Sequence, residues 1–463
     1  MGDTLEAAES EQDAPMRFPL ADRGASASRS ALLWDSCTYF GGKVVPGLVG
    51  LVSIPVYIRL IGLDQYGRFA VFVPVLMAIA SASSGWLAQG VLRFHPVSTD
   101  PPTRQSAFNR AVSGCTAVSA LVTVVATAAV LAGMGYSILT SLAALALCVS
   151  LLSYTVTLAK LQAQLQPVSI LQREIVRSIG GLVFPLILVA ITRHKQFELL
   201  LLGQAFGYTC AFWLGSRRNT SAIELESSAA REVPADSPPT RGISRQLWHF
   251  GWAVGLWLLL SQVLPVIDRT AIQRFAGYAS AGVYASLYEI AVRSFSFLAF
   301  PLTQAAHPRI MRAWNEGRFA ASYRIIRYSL LFQVSIFVAV FGGVVVLAPR
   351  IVRLILGFND PTAARLLPVL LLGGFLWQLA LLLHKPLEIS HRTPAMLAAM
   401  AAALTFHVVC CVFFIPRYGY QAAGYIVVAS SCSYIALILC LTGFRAFRGY
   451  TPVPDTPAEM ACD

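Results

Sequence analysis

The chain has 463 residues, 56% of them hydrophobic and only 13% charged, with a mean hydropathy of +0.64 and a formal net charge of +12. A water-soluble protein of this size carries a far more charged surface, so a soluble enzyme or binding module is excluded. The basic excess does not form one soluble basic face, so no nucleic-acid partner is expected.

Residues 1–30 are polar, with Glu6, Glu9, Glu11 and Asp13 ahead of Arg17, Arg23 and Arg29. Lacking an apolar core, they read as a disordered cytoplasmic tail and not as a signal peptide. Apolar blocks of about 20 residues follow, the length that spans ~30 Å of hydrocarbon as a helix. Twelve are expected, near 31–58, 69–92, 111–132, 141–163, 171–192, 197–214, 246–267, 280–305, 322–348, 366–386, 394–415 and 422–444. Residues 215–245, which hold Pro234, Pro238 and Pro239, read as a cytoplasmic linker, and 446–463 as a second cytoplasmic tail. The expected architecture is an all-α integral membrane protein: one six-helix lobe over 31–214 and another over 246–445.

Charge orients these blocks. With a cytoplasmic N-terminus, the even-numbered connections and both tails are cytoplasmic, and they hold most of the Lys and Arg. Among them are Arg217, Arg218, Arg231, Arg241 and Arg245 in the linker, and Arg309, Arg312, Arg318, Arg324 and Arg327 after the eighth block. This is the positive-inside asymmetry, and it suits an anionic inner leaflet. The cysteines show no C-x-x-C or Cys/His ligand spacing, so no metal and no cofactor is expected.

An internal repeat links the two halves. Arg59, Gly62, Gly67, Phe69 and Ala70 recur as Arg274, Gly277, Gly282, Tyr284 and Ala285, each pair 215 residues apart. The second block of each half also ends in His-Pro, at His95-Pro96 and His307-Pro308. Two equivalent helical lobes are the plan of transporters that rock around a central site.

Ionisable groups at membrane depth are costly unless paired or facing water. The first block carries Asp35, Tyr39 and Lys43 at four-residue spacing, on one helix stripe together with Pro46 and several glycines that favour a kinked gating helix. The eighth carries Glu289 and Arg293, also four apart, beside Tyr288. Each charge has a bland reading as a structural ion pair. The functional reading makes Lys43 and Arg293, with Arg93 at the end of the second block, the holders of an anion. Asp35, Glu289 and Asp268 are then their charge partners or ion-coupling carboxylates, and Tyr39, Pro46 and Tyr288 cavity or gating residues. Asp268, at the end of the seventh block, is also compatible with the headgroup region, and Arg93 with an interfacial anchor. Trp248, Trp252 and Trp257 read as an interface belt before sugar-stacking platforms.

The stretch Gly41-Gly-Lys-Val-Val-Pro, the run from Leu51 through Ile54-Pro-Val-Tyr to Arg59-Leu-Ile-Gly62, then Asp64-Gln-Tyr-Gly67-Arg-Phe and Gly90-Val-Leu-Arg-Phe resemble the opening of the polysaccharide and oligosaccharide flippases of the MOP exporter superfamily. The resemblance implies a MOP/MATE-like fold, two six-helix lobes around a central water-filled, cationic cavity. It implies a cargo of polyprenyl-diphosphate-linked oligosaccharide, moved between leaflets of the inner membrane for surface polysaccharide assembly. Membrane lipid, a coupling proton or sodium ion and a polysaccharide polymerase are the implied partners. A MATE-like cation-coupled drug antiporter is the alternative, disfavoured by the mid-span lysine. A membrane glycan polymerase or glycosyltransferase is more remote, since no outer loop is long enough to carry a catalytic chamber.

Overall fold

The computed structural model describes residues 29–96, 101–164, 166–214, 240–390 and 392–443. The expected tails and most of the expected linker lie outside them. The described residues fold into helices alone: α1 (Arg29–Ile61), α2 (Leu63–Phe94), α3 (Pro102–Met134), α4 (Ile138–Ala163), α5 (Pro167–Thr192), α6 (Phe197–Trp213), α7 (Thr240–Asn315), α8 (Phe319–Leu356), α9 (Pro361–Leu383), the short α10 (Lys385–Ile389), α11 (Thr393–Tyr418) and α12 (Tyr420–Thr442).

Ten of these are long and apolar enough to cross a membrane. Two elements separate this count from the expected twelve. α6 is only 17 residues long, and α7 counts once although it comprises two helices that meet at the non-helical Gly277 (φ 81°, ψ 172°). That conformation is open to glycine alone. Gly62, its repeat partner, takes φ 85° and ψ 163° between α1 and α2. The two repeats therefore break at equivalent residues with nearly the same backbone angles.

Boundaries also move. α7 begins at Thr240, inside the expected linker, and continues past His307-Pro308 to Asn315. Trp314 anchors that extension, its ring 4.6 Å from Phe319 and 6.2 Å from Tyr323. At the start of α9, Asp360 caps the helix, accepting from the Thr362 and Ala363 amides at 2.9 and 3.0 Å.

α2 and α9 are the most buried spans and α8 the least. The outer helices turn their apolar side chains outward: Leu121, Ile191, Val346 and Phe413 are all exposed. On a soluble protein such surface invites aggregation, whereas here it meets lipid. Inside, α2 runs antiparallel to the first arm of α7 (240–276). Contacts follow one another along it, from Gly90 on Leu247, through Trp86 on Gly251 and Gly255, to Gly67 on Tyr278 and Gly282 beyond the kink. This seam joins the two lobes and places both repeat motifs at their junction.

Candidate functional site

Two cavities, of about 170 and 470 Å³, flank the junction. The first lies among α1, α2, α5, α6 and α7, with Pro46, Gly50, Ser53, Tyr57, Arg177, Ser178, Gln204 and Tyr208 in its wall. The second lies on the C-terminal side, among α2, α7, α9, α11 and α12, where Gln262, Trp377, Gln378, Ser430, Ser431 and Tyr434 line it. Both share Arg269, Glu289 and Arg293.

These three side chains form one triad. Glu289 accepts from Arg269 Nη2 at 2.5 Å through one oxygen and from Arg293 Nε at 2.8 Å through the other. Such charge-assisted bonds offset the cost of burying the groups. Arg269 also donates to the Ala70 carbonyl at 3.0 Å, and Ala70 belongs to the repeat motif. Its side chain is 4% accessible, whereas that of Arg293 is 44% accessible. Arg293 lines both cavities and so presents its guanidinium between them. A Cβ at Gly50 of α1 would lie 2.0 Å from Arg293 Nη1, so only glycine there lets the guanidinium lie against α1.

On the N-terminal side, Arg177 pairs with Glu174 at 2.7 Å and stands over the Tyr208 ring. Arg173, one turn before, donates to the Ala211 and Phe212 carbonyls at 3.0 and 2.8 Å and so ties α5 to the end of α6. The wall of the smaller cavity thus carries Arg177, Arg269 and Arg293 against Glu289, a surplus of two positive charges that Glu174 behind the wall reduces by one. The larger cavity balances Arg269 and Arg293 against Glu289 and Asp268. One side is cationic and the other neutral, polar and aromatic.

The residues singled out in the sequence divide accordingly. Glu289, Arg293, Tyr288 and Pro46 all line a cavity. Asp268 is 1% exposed and lines the larger one, nine residues before the break at Gly277. Arg93 stands apart, its guanidinium 4.4 Å from the Phe250 ring centre and 23 residues, roughly 35 Å of helix, from Ala70. Position 43 lies on α1 two turns before Gly50, and Asp35 and Tyr39 lie further toward its start. Sequence periodicity does not single out Arg177, Gln204 or Arg269, although the first two lie on helices that also supply apolar wall.

A family model described as polysaccharide biosynthesis protein matches residues 33–314, more than half of the chain. The chain belongs to that family. No curated protein matches the sequence. Among solved structures, the lipid II flippase MurJ in an inward closed conformation is similar over 89% of this chain and 87% of its own, with a TM-score of 0.63 and 11% identity. An outward-facing multidrug resistance MATE family transporter of the MOP superfamily aligns over 90% of this chain and 95% of its own (TM-score 0.59, 14% identity). A MOP superfamily transporter from Pyrococcus furiosus, described as having a binding pocket of reverse polarity, aligns over the same shares (TM-score 0.56, 13% identity). At these identities the likeness is one of fold: a multi-pass membrane protein built as MOP transporters are.

Proposed function

We propose that this protein is a flippase carrying a polyprenyl-diphosphate-linked oligosaccharide from the inner to the outer leaflet of the cytoplasmic membrane, for surface polysaccharide synthesis. The observation that carries the reading is Arg293, held by Glu289 yet open to both cavities at the junction of the lobes. A diphosphate cannot cross hydrocarbon bare, and an arginine fork matches its oxygens better than an ammonium does. The family supports a polysaccharide role, and the MurJ likeness supports a fold able to house a lipid-linked cargo. Lys43 completes the proposed anion site from α1, two turns from Gly50. The lobes then rock around the bound head group while the polyprenyl tail stays in lipid, so no covalent step is needed. A polysaccharide polymerase is the proposed downstream partner. A proton or sodium ion is the proposed counter-ion, with Asp35, Asp268 and Glu289 as the carboxylates in question.

Lipid-carrier analysis in a strain lacking the gene tests this. The expected result is glycan-bearing polyprenyl diphosphate on the cytoplasmic leaflet and loss of surface polysaccharide, restored by the wild-type gene and not by Lys43→Ala. Unchanged lipid intermediates with normal surface glycan would replace the flippase by the small-molecule antiporter, and dye export from overexpressing cells would then be the assay.

The proposed topology puts both termini in the cytoplasm and the α8–α9 connection outside. A cysteine introduced at Pro361, exposed at the first turn of α9, should react with a membrane-impermeant maleimide from the outer face of intact cells. Labelling only in inverted vesicles would reverse the orientation.

A further inference from the structure

Beside the larger cavity, Asp268 of α7 meets two side chains of α11. His407 Nε2 lies 2.8 Å from Asp268 Oδ1, and Cys411 Sγ lies 3.6 Å from the same oxygen. The three ligand atoms lie within 4.8 Å of one another, and all three residues are 1% exposed. His407 and Cys411 are four apart, so one helix turn presents both on the same face, which corrects the expectation that no Cys/His ligand spacing occurs. We infer that this cluster is a binding site for a borderline divalent cation of the Zn²⁺ type, distinct from the arginine triad.

Three features separate it from an ordinary buried polar cluster. His407 Nε2 is buried without a hydrogen bond, its close neighbour being the Asp268 oxygen at 2.8 Å. An orphaned imidazole nitrogen in a dry site costs free energy unless a cation takes its lone pair. Second, the imidazole and the carboxylate each have their other polar atom engaged elsewhere. His407 Nδ1 bonds Ser430 Oγ at 2.9 Å, and Tyr284 donates to Asp268 Oδ2 at 2.7 Å. Such outer partners fix the ring and carboxylate so that Nε2 and Oδ1 turn to the centre. Third, the donor set is one imidazole, one thiol and one carboxylate. A thiolate and a carboxylate neutralise a divalent ion, and nitrogen and sulfur donors select zinc-like ions over magnesium, calcium or alkali ions.

With metal–ligand bonds of about 2.0–2.3 Å, tetrahedral ligands stand roughly 3.3–3.8 Å apart. His407 and Asp268 therefore separate by a few tenths of an ångström as the ion enters, while Cys411 already stands at that spacing from Asp268. Asp268 and His407 both line the cavity, which supplies an entry path and room for a water or another fourth ligand. An ion here links α7 to α11 within the C-terminal lobe and withdraws Asp268 from the carboxylates proposed for ion coupling.

The test is independent of transport and uses full-length protein in detergent, chelator-treated, reduced and titrated with Co²⁺. The expected result is one cobalt per chain, with a thiolate-to-cobalt charge-transfer band, strong tetrahedral visible bands, and displacement by Zn²⁺. Cys411→Ser should abolish the charge-transfer band and Cys410→Ser should leave it. Ser430→Ala, which removes only an outer partner, should weaken binding by roughly 10- to 100-fold. Wild-type protein that shows no charge-transfer band with cobalt in excess overturns the site whatever the variants do, and so does a band that survives Cys411→Ser.

Discussion

Arg293→Ala abolishes glycan export while the protein stays in the membrane at near wild-type abundance, whereas Glu289→Ala loses the protein itself. The two residues share one ion pair, so the contrast rests on what each substitution leaves behind. Without Arg293, Glu289 keeps its 2.5 Å bond to Arg269, and the vacated space belongs to cavities that already exist. The loss falls on the anion: truncating one member of a desolvated charge pair costs about 2–5 kcal/mol, a drop of roughly 30-fold or more in binding. Without Glu289, two guanidiniums lose their shared counter-charge, and Arg269, only 4% accessible, keeps the Ala70 carbonyl and the Tyr288 ring but no carboxylate bond to offset its burial. Breaking a buried pair this way costs about 3–5 kcal/mol, a large share of a typical stability margin. Quantitative immunoblotting of membranes beside surface-glycan staining separates the outcomes. Arg293→Lys sharpens the test, because it restores charge without the fork and should recover only part of the export. Full export by Arg293→Ala would remove the residue from the proposed anion site.

The i, i+4 spacing of Glu289 and Arg293 is visible on one helix and survives in the structure because it needs no tertiary information. Arg269 is 20 residues away on the other side of the kink, and its place in the triad depends on how Gly277 aims one arm of α7 against the other. The same holds for Arg177 and Gln204, which reach the cavity from α5 and α6. For Asp268 the misleading signal was hydropathy. The expected seventh block stops at residue 267, so Asp268 reads as closing a span, whereas the structure buries it beside the larger cavity, nine residues before Gly277. His407 and Cys411 sit in an apolar block where neither draws notice, and only the packing of α11 on α7 brings Asp268 to them. Helix number is legible except at α6, which is only 17 residues long, and at α7, where two helices join at Gly277 with no connecting loop.

The repeat motif carried the most structural meaning, and its glycines set the second large effect. Gly67→Ala and Gly282→Ala should each destabilise the fold by about 3 kcal/mol, at the top of the overpacking range, because the obstacle is backbone and cannot rotate away. A Cβ on Gly67 would lie 1.9 Å from the Tyr278 carbonyl oxygen, and one on Gly282 would lie 2.7 Å from the Leu63 carbonyl oxygen. Leu63 and Tyr278 are themselves repeat partners, 215 residues apart, so each glycine meets the other repeat at the equivalent atom. Gly67 and Gly282 also touch, since a Cβ on Gly282 would be 3.2 Å from the Gly67 Cα. The motif is therefore a crossing point on the pseudo-twofold axis, where close backbone approach substitutes for the hydrophobic drive that helices lack in lipid. Gly85, whose Cβ would meet the Leu258 side chain at 3.7 Å, lies on the same helix and should accept alanine with little change. Thermal unfolding followed by size-exclusion in detergent ranks the three variants. The shared contact adds a stricter requirement, because sites in direct contact are not additive. Once one alanine has pushed the seam apart, the second costs less, so the double variant should lose less than the sum of the single losses. Additive losses would mean that the two glycines act on separate contacts and that the seam is not a single hinge point.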